Sequence, residues 1–263
     1  PPRSPLFPST TLFRSATDPA VAREACAGAE TVFACAWPEL QDWYEIYPQL
    51  QSAILEGAAD SGAHLIDVGD LWIYGAVEGP MSETTPVAPK TRKGQLRARM
   101  AEQLLSAHAR GKARVTLARG PDLYGTAAGQ ASAYGGRVFW PALRGEKVAA
   151  MGRTDVPHSL IYVEDFARGL IALADHPDTS EGEVWHVPAA EPITQRRMLH
   201  LVFGEAGQTP KISVTPRFIF KSIGLMVPYM KELNELLYTW EKPWVMDDTK
   251  FRQHFDVVIT PPF

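Results

Sequence analysis

Residues 64–75 read HLIDVGDLWIYG. Leu65, Ile66 and Val68 make an apolar run of strand length that stops at Gly69, and a turn-forming Tyr74–Gly75 pair follows. A strand-length segment this largely apolar predicts a strand buried on both faces, as in a parallel sheet covered by helices. Segments of the same kind recur on either side: TVFACAW at 31–37 and RVTLARG at 114–120. Between them lie two amphipathic helical stretches, EIYPQLQSAILEGAADS at 45–61 and a second at 93–110, where Leu96, Met100, Ala101, Leu104 and Leu105 form a stripe. Residues 18–28 add a helix with Asp18 as its cap and Pro19 in the first turn. This alternation predicts an α/β fold of Rossmann type, a doubly wound parallel sheet with strands 31–36, 64–68 and 114–119 adjacent.

The 263 residues are 45% apolar, enough for a sizeable core, and carry a net charge of −4. That balance speaks against a protein that coats nucleic acid. PKTRKGQLRARMAE (89–102) carries five basic side chains and one acid, but no aromatic residues are interleaved with them, so no nucleic-acid partner is expected. The two cysteines, Cys26 and Cys35, sit in apolar settings and read as reduced, buried thiols of a cytoplasmic protein. FIFKSIGLMVPYM (218–230), the best candidate for a membrane span, is interrupted by Lys221 and Pro228. No residue spacing suggests a metal site or a serine-centred nucleophile elbow.

Beyond residue 126 the pattern loosens. HSLIYVEDFARGLIALADH (158–176) reads as strand, turn and helix, EVWHVP (183–188) as a strand, and PITQRRMLHLVFGEAG (192–207) as a helix capped by Thr194. KISVTP (211–216) is a further strand, and a partly amphipathic segment runs from Pro216 to Trp240. These pieces predict a smaller C-terminal α/β substrate domain, mainly 126–263, after a partial dinucleotide-binding domain at 16–125. Residues 1–15, PPRSPLFPSTTLFRS, have no periodicity, and TTLFRS matches the translation of a common sequencing adapter. They are read as a non-native leader.

Several stretches, in order, resemble one family. ETVFACAW (30–37), LIDVGDLWIYG (65–75), ETTPVAPKTRKGQLRARMAEQLL (83–105), RVTLARGPDLYG (114–125) and SLIYVEDFARGLIAL (159–173) together resemble the extended short-chain dehydrogenase/reductases, the NAD-dependent epimerase/dehydratase group. The resemblance implies NAD or NADP as cofactor and a small hydroxylated substrate, sugar-derived in many relatives. It also implies redox, epimerase or dehydratase chemistry, and a homodimer through helices 45–61 and 93–110. The alternative is a dinucleotide-binding sensor or scaffold without turnover, since fold alone does not establish chemistry.

The chain departs from the family pattern where chemistry is expected. Counting back from Glu102 places the family's Tyr-x-x-x-Lys pair at Gly94 and Ala98; a shift of one residue gives Lys93 and Arg97. Neither register holds a tyrosine, and Asp70 stands at the position of the family's serine. The resemblance therefore assigns Asp70 and Lys93 to catalysis. It assigns Arg97 to the cofactor's ribose or phosphate, with the strand-end residues Ala34, Cys35, Ala36, Gly69, Gly120, Pro121 and Leu123 lining the cofactor. Trp72 and His158 are the substrate candidates. Asp165 is expected to cap or pack its helix, and Tyr74 and Tyr124 to anchor turns. No strand–G-x-x-G-x-x-G–helix unit occurs in these residues. The resemblance places that unit upstream, in about 60 residues of βαβ-sized sequence, and expects a further helix after the C-terminal residues.

Overall fold

The computed structural model describes residues 15–125, 128, 132–214 and 228–261. Its elements in chain order are α1 (Pro19–Cys26), β1 (Thr31–Ala34), α2 (Trp43–Ser61), β2 (His64–Gly69), α3 (Arg92–Ala109), β3 (Arg114–Arg119) and β4 (Asp122–Tyr124). There follow α4 (Gly136–Leu143), β5 (Val148–Ala150), β6 (Pro157–His158), β7 (Leu160–Tyr162), α5 (Val163–Asp175), α6 (Pro177–Ser180) and β8 (Val184–His186). Last come β9 (Ile193–Thr194), α7 (Gln195–Glu205), β10 (Ile212–Val214), α8 (Pro228–Leu236), a 3-10 turn at Leu237–Trp240, and α9 (Thr249–His254).

Strands β1, β2, β3 and β8 form one sheet in that order, and every pairing in it is parallel. Alternation along the strands sorts side chains between two cores, because successive residues of a strand point to opposite faces. Leu65 and Leu117 join Leu55, Ala58 and Leu104 of α2 and α3 on one face. Ile66 and Ala118 join Phe166, Leu170 and Leu173 of α5 on the other. The expected doubly wound sheet is therefore present, with all three anticipated strands adjacent and parallel.

Local chemistry sets the ends. The Asp18 carboxylate accepts from the Ala20 N–H, Thr91 caps α3 by accepting from the Gly94 N–H, and Thr194 caps α7 by accepting from the Arg197 N–H. Gly94 is required by a close approach: a Cβ there would lie 2.7 Å from the Trp72 carbonyl oxygen. That contact seats the start of α3 against the turn after β2.

A further cluster forms from Tyr134, Val138, Val148, Leu160, Leu199, Phe203 and Trp240. It is served by the parallel pair β5–β10 and the antiparallel pair β6–β9, while β4 pairs parallel with β7. One sequence expectation needs correction. Cys35 is exposed, because β1 ends at Ala34 and the chain turns outward there. Asp165, expected to cap or pack its helix, is buried inside the first turn of α5, where it accepts hydrogen bonds from Thr260. Of the segment Pro216–Trp240, residues 216–227 lie outside the described residues, as does much of the Gly-rich loop after Gly125.

Candidate active site

Strand β2 carries two carboxylates into the interior at its carboxyl end, Asp67 and Asp70, and the inward face of α3 delivers Arg97 between them. Its Nε donates to Asp70 Oδ2 at 3.1 Å and its Nη2 to the Val68 carbonyl at 2.7 Å; Nη2 also lies 3.6 Å from Asp67 Oδ2. The Trp72 N–H completes Asp70 by donating to Oδ1 at 2.9 Å. The Arg97 guanidinium lies 4.8 Å from the centre of the Tyr47 ring and is 4% exposed, yet its Nη1 has no hydrogen-bond partner.

Arg119 approaches the same strand end from β3, also buried. Its Nη1 donates to the Tyr74 hydroxyl at 2.6 Å. His186 Nδ1 lies 2.9 Å from the Asp247 carbonyl, which can only accept, so the imidazole proton sits on Nδ1. Nε2 is then the acceptor for the Tyr74 hydroxyl at 2.7 Å. Burial pushes His186 down to about 4, which keeps this relay neutral.

Two aspartates and two arginines thus balance one another out of water. Burial raises Asp67 to about 6 against the opposing pull of Arg97, and raises Asp70 in the same direction for the same reason. For Arg97, burial alone would depress the guanidinium, but Tyr47, Asp67 and Asp70 outweigh it and hold it above its ordinary value.

Lys93 lies one helical turn before Arg97 on the same inward face and is fully buried. Its Nζ pairs with Glu232, lies 3.8 Å from Glu235 Oε2, and donates to the Tyr44 hydroxyl at 3.4 Å. Its backbone N–H donates to Glu235 Oε1 at 2.9 Å, and Tyr44 donates to the other oxygen of Glu235 at 3.1 Å. Burial lowers the Lys93 amine to about 8 despite Glu235. Burial and Glu235 together raise the Tyr44 phenol to about 12. The inward positions 93 and 97 correspond to the second of the two registers read from the sequence.

The remaining sequence candidates divide between this strand end and the interior. Ala34 stands beside Asp67 in the sheet, and Ala34, Ala36, Tyr47, Gln51 and Asp67 line a small cavity of about 10 Å³, the space of roughly one water. Cys35 is adjacent, its thiol raised by partial burial and by the Asp67 charge. Gly69 ends β2 between Arg97 and Arg119. Gly120 accommodates Phe166, whose ring would stand 2.7 Å from a Cβ there; Pro121 is buried and Leu123 packs against the main core. Trp72 stacks near Trp43 with ring centres 5.5 Å apart. His158 is remote from Asp70 in its contacts: it is 1% exposed, lies flat on Trp240 at 3.9 Å, and bonds Asp122 at 2.7 Å.

Sequence reasoning missed Asp67, Arg119, Tyr44, Glu232 and Glu235. Asp67 had a signal, a lone charge inside an otherwise apolar strand, whereas nothing local marks two glutamates about 140 residues away as partners of Lys93. Among the described residues, no cluster of histidine, cysteine and carboxylates could hold a metal ion, and no helix is long and apolar enough to cross a membrane.

A parallel α/β sheet with helices on both faces and a buried acid–base cluster at its strand carboxyl ends defines a protein of the dinucleotide-fold class, in which ligands bind outside those ends. The chain belongs to the NAD dependent epimerase/dehydratase family, whose model matches residues 17–187. Among solved structures it is similar to a dTDP-glucose 4,6-dehydratase from Streptomyces venezuelae in complex with NAD, with 15% identity, a TM-score of 0.71, and coverage of 94% of this chain and 73% of that one. It is similar to a UDP-glucuronic acid 4-epimerase from Bacillus cereus in complex with UDP-glucuronic acid and NAD, with 15% identity, a TM-score of 0.73, and coverage of 91% and 73%. A third, MoeE5 in complex with UDP-glucose and NAD, has 19% identity, a TM-score of 0.66, and coverage of 77% and 71%. No curated protein matches the chain. At these identities the structural likeness establishes the fold alone.

Proposed function

We propose that this protein binds NAD or NADP and carries out epimerase, dehydratase or related redox chemistry on a small hydroxylated substrate of the nucleotide-sugar kind. The observation that carries the reading is Asp70: a carboxylate at the carboxyl end of a central strand, oriented by Arg97 and the Trp72 N–H, where open α/β sheets bind ligands. Its raised pKa makes it a stronger base than a solvated aspartate. In this reading Asp70 takes the proton of a substrate hydroxyl. Lys93, one helical turn before Arg97 and with an amine lowered to about 8, is the group proposed to hold or return a proton.

The residues present fit the ribose end of the dinucleotide. Arg97 Nη1 is a buried donor without a partner, suited to a ribose hydroxyl, and Ala34, Ala36 and Gly69 keep the strand ends small. NAD supplies hydride acceptance and return when bound; orientation and proton handling belong to the side chains named above. The proposed division is a non-native stretch at 1–15, a partial dinucleotide-binding domain at 16–125 and a mainly substrate-binding part at 126–263. A cytoplasmic location agrees with two unpaired cysteines, and α2 and α3 are the proposed homodimer faces, to be tested by sedimentation.

Titration with NAD(H) and NADP(H), followed by thermal shift and by cofactor fluorescence, tests the reading. UDP-glucose and UDP-glucuronic acid are the substrate probes, with reduction of bound cofactor read by its absorbance. Stabilisation by cofactor with probe-dependent reduction supports an enzyme. Stabilisation with no probe-dependent change supports the sensor reading, and absence of any cofactor effect in a chain that carries the upstream glycine-rich unit overturns both.

A further inference from the structure

Helix α8 is fastened to the rest of the molecule by charge more than by apolar burial. From Met230 to Leu236 only Leu236 is buried, and a helix with so few buried apolar contacts is held weakly by packing. It rests on the 3-10 turn Leu40–Asp42, none of whose residues is buried. Glu232 and Glu235, three residues apart and so on one face, both reach Lys93 of α3, whose side chain is fully enclosed. Glu235 makes two further contacts. Its Oε1 accepts from the Lys93 backbone N–H at 2.9 Å, and its Oε2 accepts from the Tyr44 hydroxyl at 3.1 Å. The segment after α8 is fixed differently. In the 3-10 turn Leu237–Trp240, Leu237 and Trp240 are buried, and the Trp240 ring lies flat on His158 at 3.9 Å.

We propose that α8 is a strap closed over Lys93, and that it must lift about the anchored turn at Leu237 before the amine can serve the site. The inference rests on the proton role given to Lys93 above. An ammonium has three N–H donors, and three acceptors surround this one: Glu232, Glu235 with Oε2 at 3.8 Å, and the Tyr44 hydroxyl at 3.4 Å. Two of these belong to α8 and one to α2; none belongs to β2, whose end carries Asp70. The strap therefore engages the amine and keeps it from a substrate. Arg92, whose guanidinium lies 4.2 Å from the centre of the Tyr44 ring, is the like charge beside the cluster. Fastening by charge suits a contact that opens. The cost of taking charges out of water offsets much of their attraction, so closed and open states lie near balance, where a ligand that favours one shifts the population.

Hydrogen exchange of the α8 amides and the acylation rate of Lys93, both read by peptide mass spectrometry and compared with exchange in β2 and β3, test the strap in this chain. Acylation is compared on the plateau above the Lys93 titration, so that its charge state does not enter. In the unaltered protein α8 and Lys93 are expected to open together, about tenfold or more ahead of the sheet. Glu232→Gln combined with Glu235→Gln is expected to raise both rates by about a further tenfold, the loss of a charged hydrogen bond, with exchange in β2 and β3 unchanged. Acylation of Lys93 only as fast as the sheet itself opens overturns the proposal, and so does a folded variant that changes neither rate. Where the variant does not fold, the comparison within the unaltered protein decides. Lys93→Met, assayed with NAD and UDP-glucose in a chain that carries the upstream glycine-rich unit, separates the two levels. If it is inactive while α8 never opens apart from the sheet, the strap alone is wrongly assigned. If it turns over normally, the reading of Lys93 falls, and the strap's part in the chemistry falls with it.

Discussion

Arg97 donates through Nε to Asp70 Oδ2 at 3.1 Å, a bond between residues 27 apart in the chain and both almost wholly buried. It ties the end of β2 to the inward face of α3 and fixes the orientation of the Asp70 carboxylate. A buried charge pair of this kind is weak evidence for stability, since desolvation offsets the attraction, but truncating one partner strands the other. The value of the bond therefore lies in orientation.

Asp70→Asn is expected to lower the turnover number by about 10² to 10⁴, the usual loss on removing a positioned base, with cofactor affinity nearly unchanged. Tyr74→Phe and Tyr124→Phe are expected to cost much less turnover. Steady-state kinetics on the three variants, with cofactor titration alongside, checks this; a fully active Asp70→Asn contradicts it.

Asp67 should leave a mark on the pH dependence of stability. Its pKa rises from 3.8 to about 6 on folding, so the folded state holds this proton more tightly than the unfolded one. Its contribution to stability is complete below about 3.8 and is lost as pH climbs through about 6. Urea denaturation between those values should show stability falling with pH from this group, and Asp67→Asn should flatten that component. An identical slope in the variant contradicts the assignment.

Lys93 should titrate near pH 8, well below an exposed lysine. Glu235→Gln should lower it further, by removing a carboxylate that favours the charged amine, and Arg92→Gln should raise it, by removing a like charge. Competitive amine labelling across pH, read by peptide mass spectrometry at Lys93, measures all three; shifts of the opposite sign contradict the arrangement.

Gly94→Ala should destabilise the protein by about 1–3 kcal/mol, the range for overpacking, because the new methyl would meet the Trp72 carbonyl at 2.7 Å and the Pro89 side chain at 2.9 Å. Gly204→Ala, with nothing within 4 Å of the new carbon, serves as the control and should be neutral or slightly stabilising. Chemical denaturation of both settles the comparison.

The sheet was legible because its signal is local. Leu65, Ile66 and Val68, and Val115, Leu117 and Ala118, are apolar on both faces of their strands, and such a strand has no stable place except between two helical layers. The caps Asp18, Thr91 and Thr194 lie within three residues of the N–H groups they accept from, so the helix starts are local as well. The site was legible only in part. Asp70, Lys93 and Arg97 could be found by counting along one helix and one strand end, but His158 and Leu123 turned inward to partners that counting does not see.

The sequence by itself determined the order of strands and helices and the absence of a tyrosine from α3, because period and spacing act over a few residues. Only the tertiary structure decided that Lys93 and Arg97 both face inward, that Arg97 bonds Asp70 rather than solvent, and that Glu232 and Glu235 close over Lys93. Those contacts join residues from 27 to about 140 positions apart. Nothing in the residues between them encodes the distance. It follows from how a parallel sheet stacks its helices, and from a low-dielectric interior in which each buried charge must find a partner.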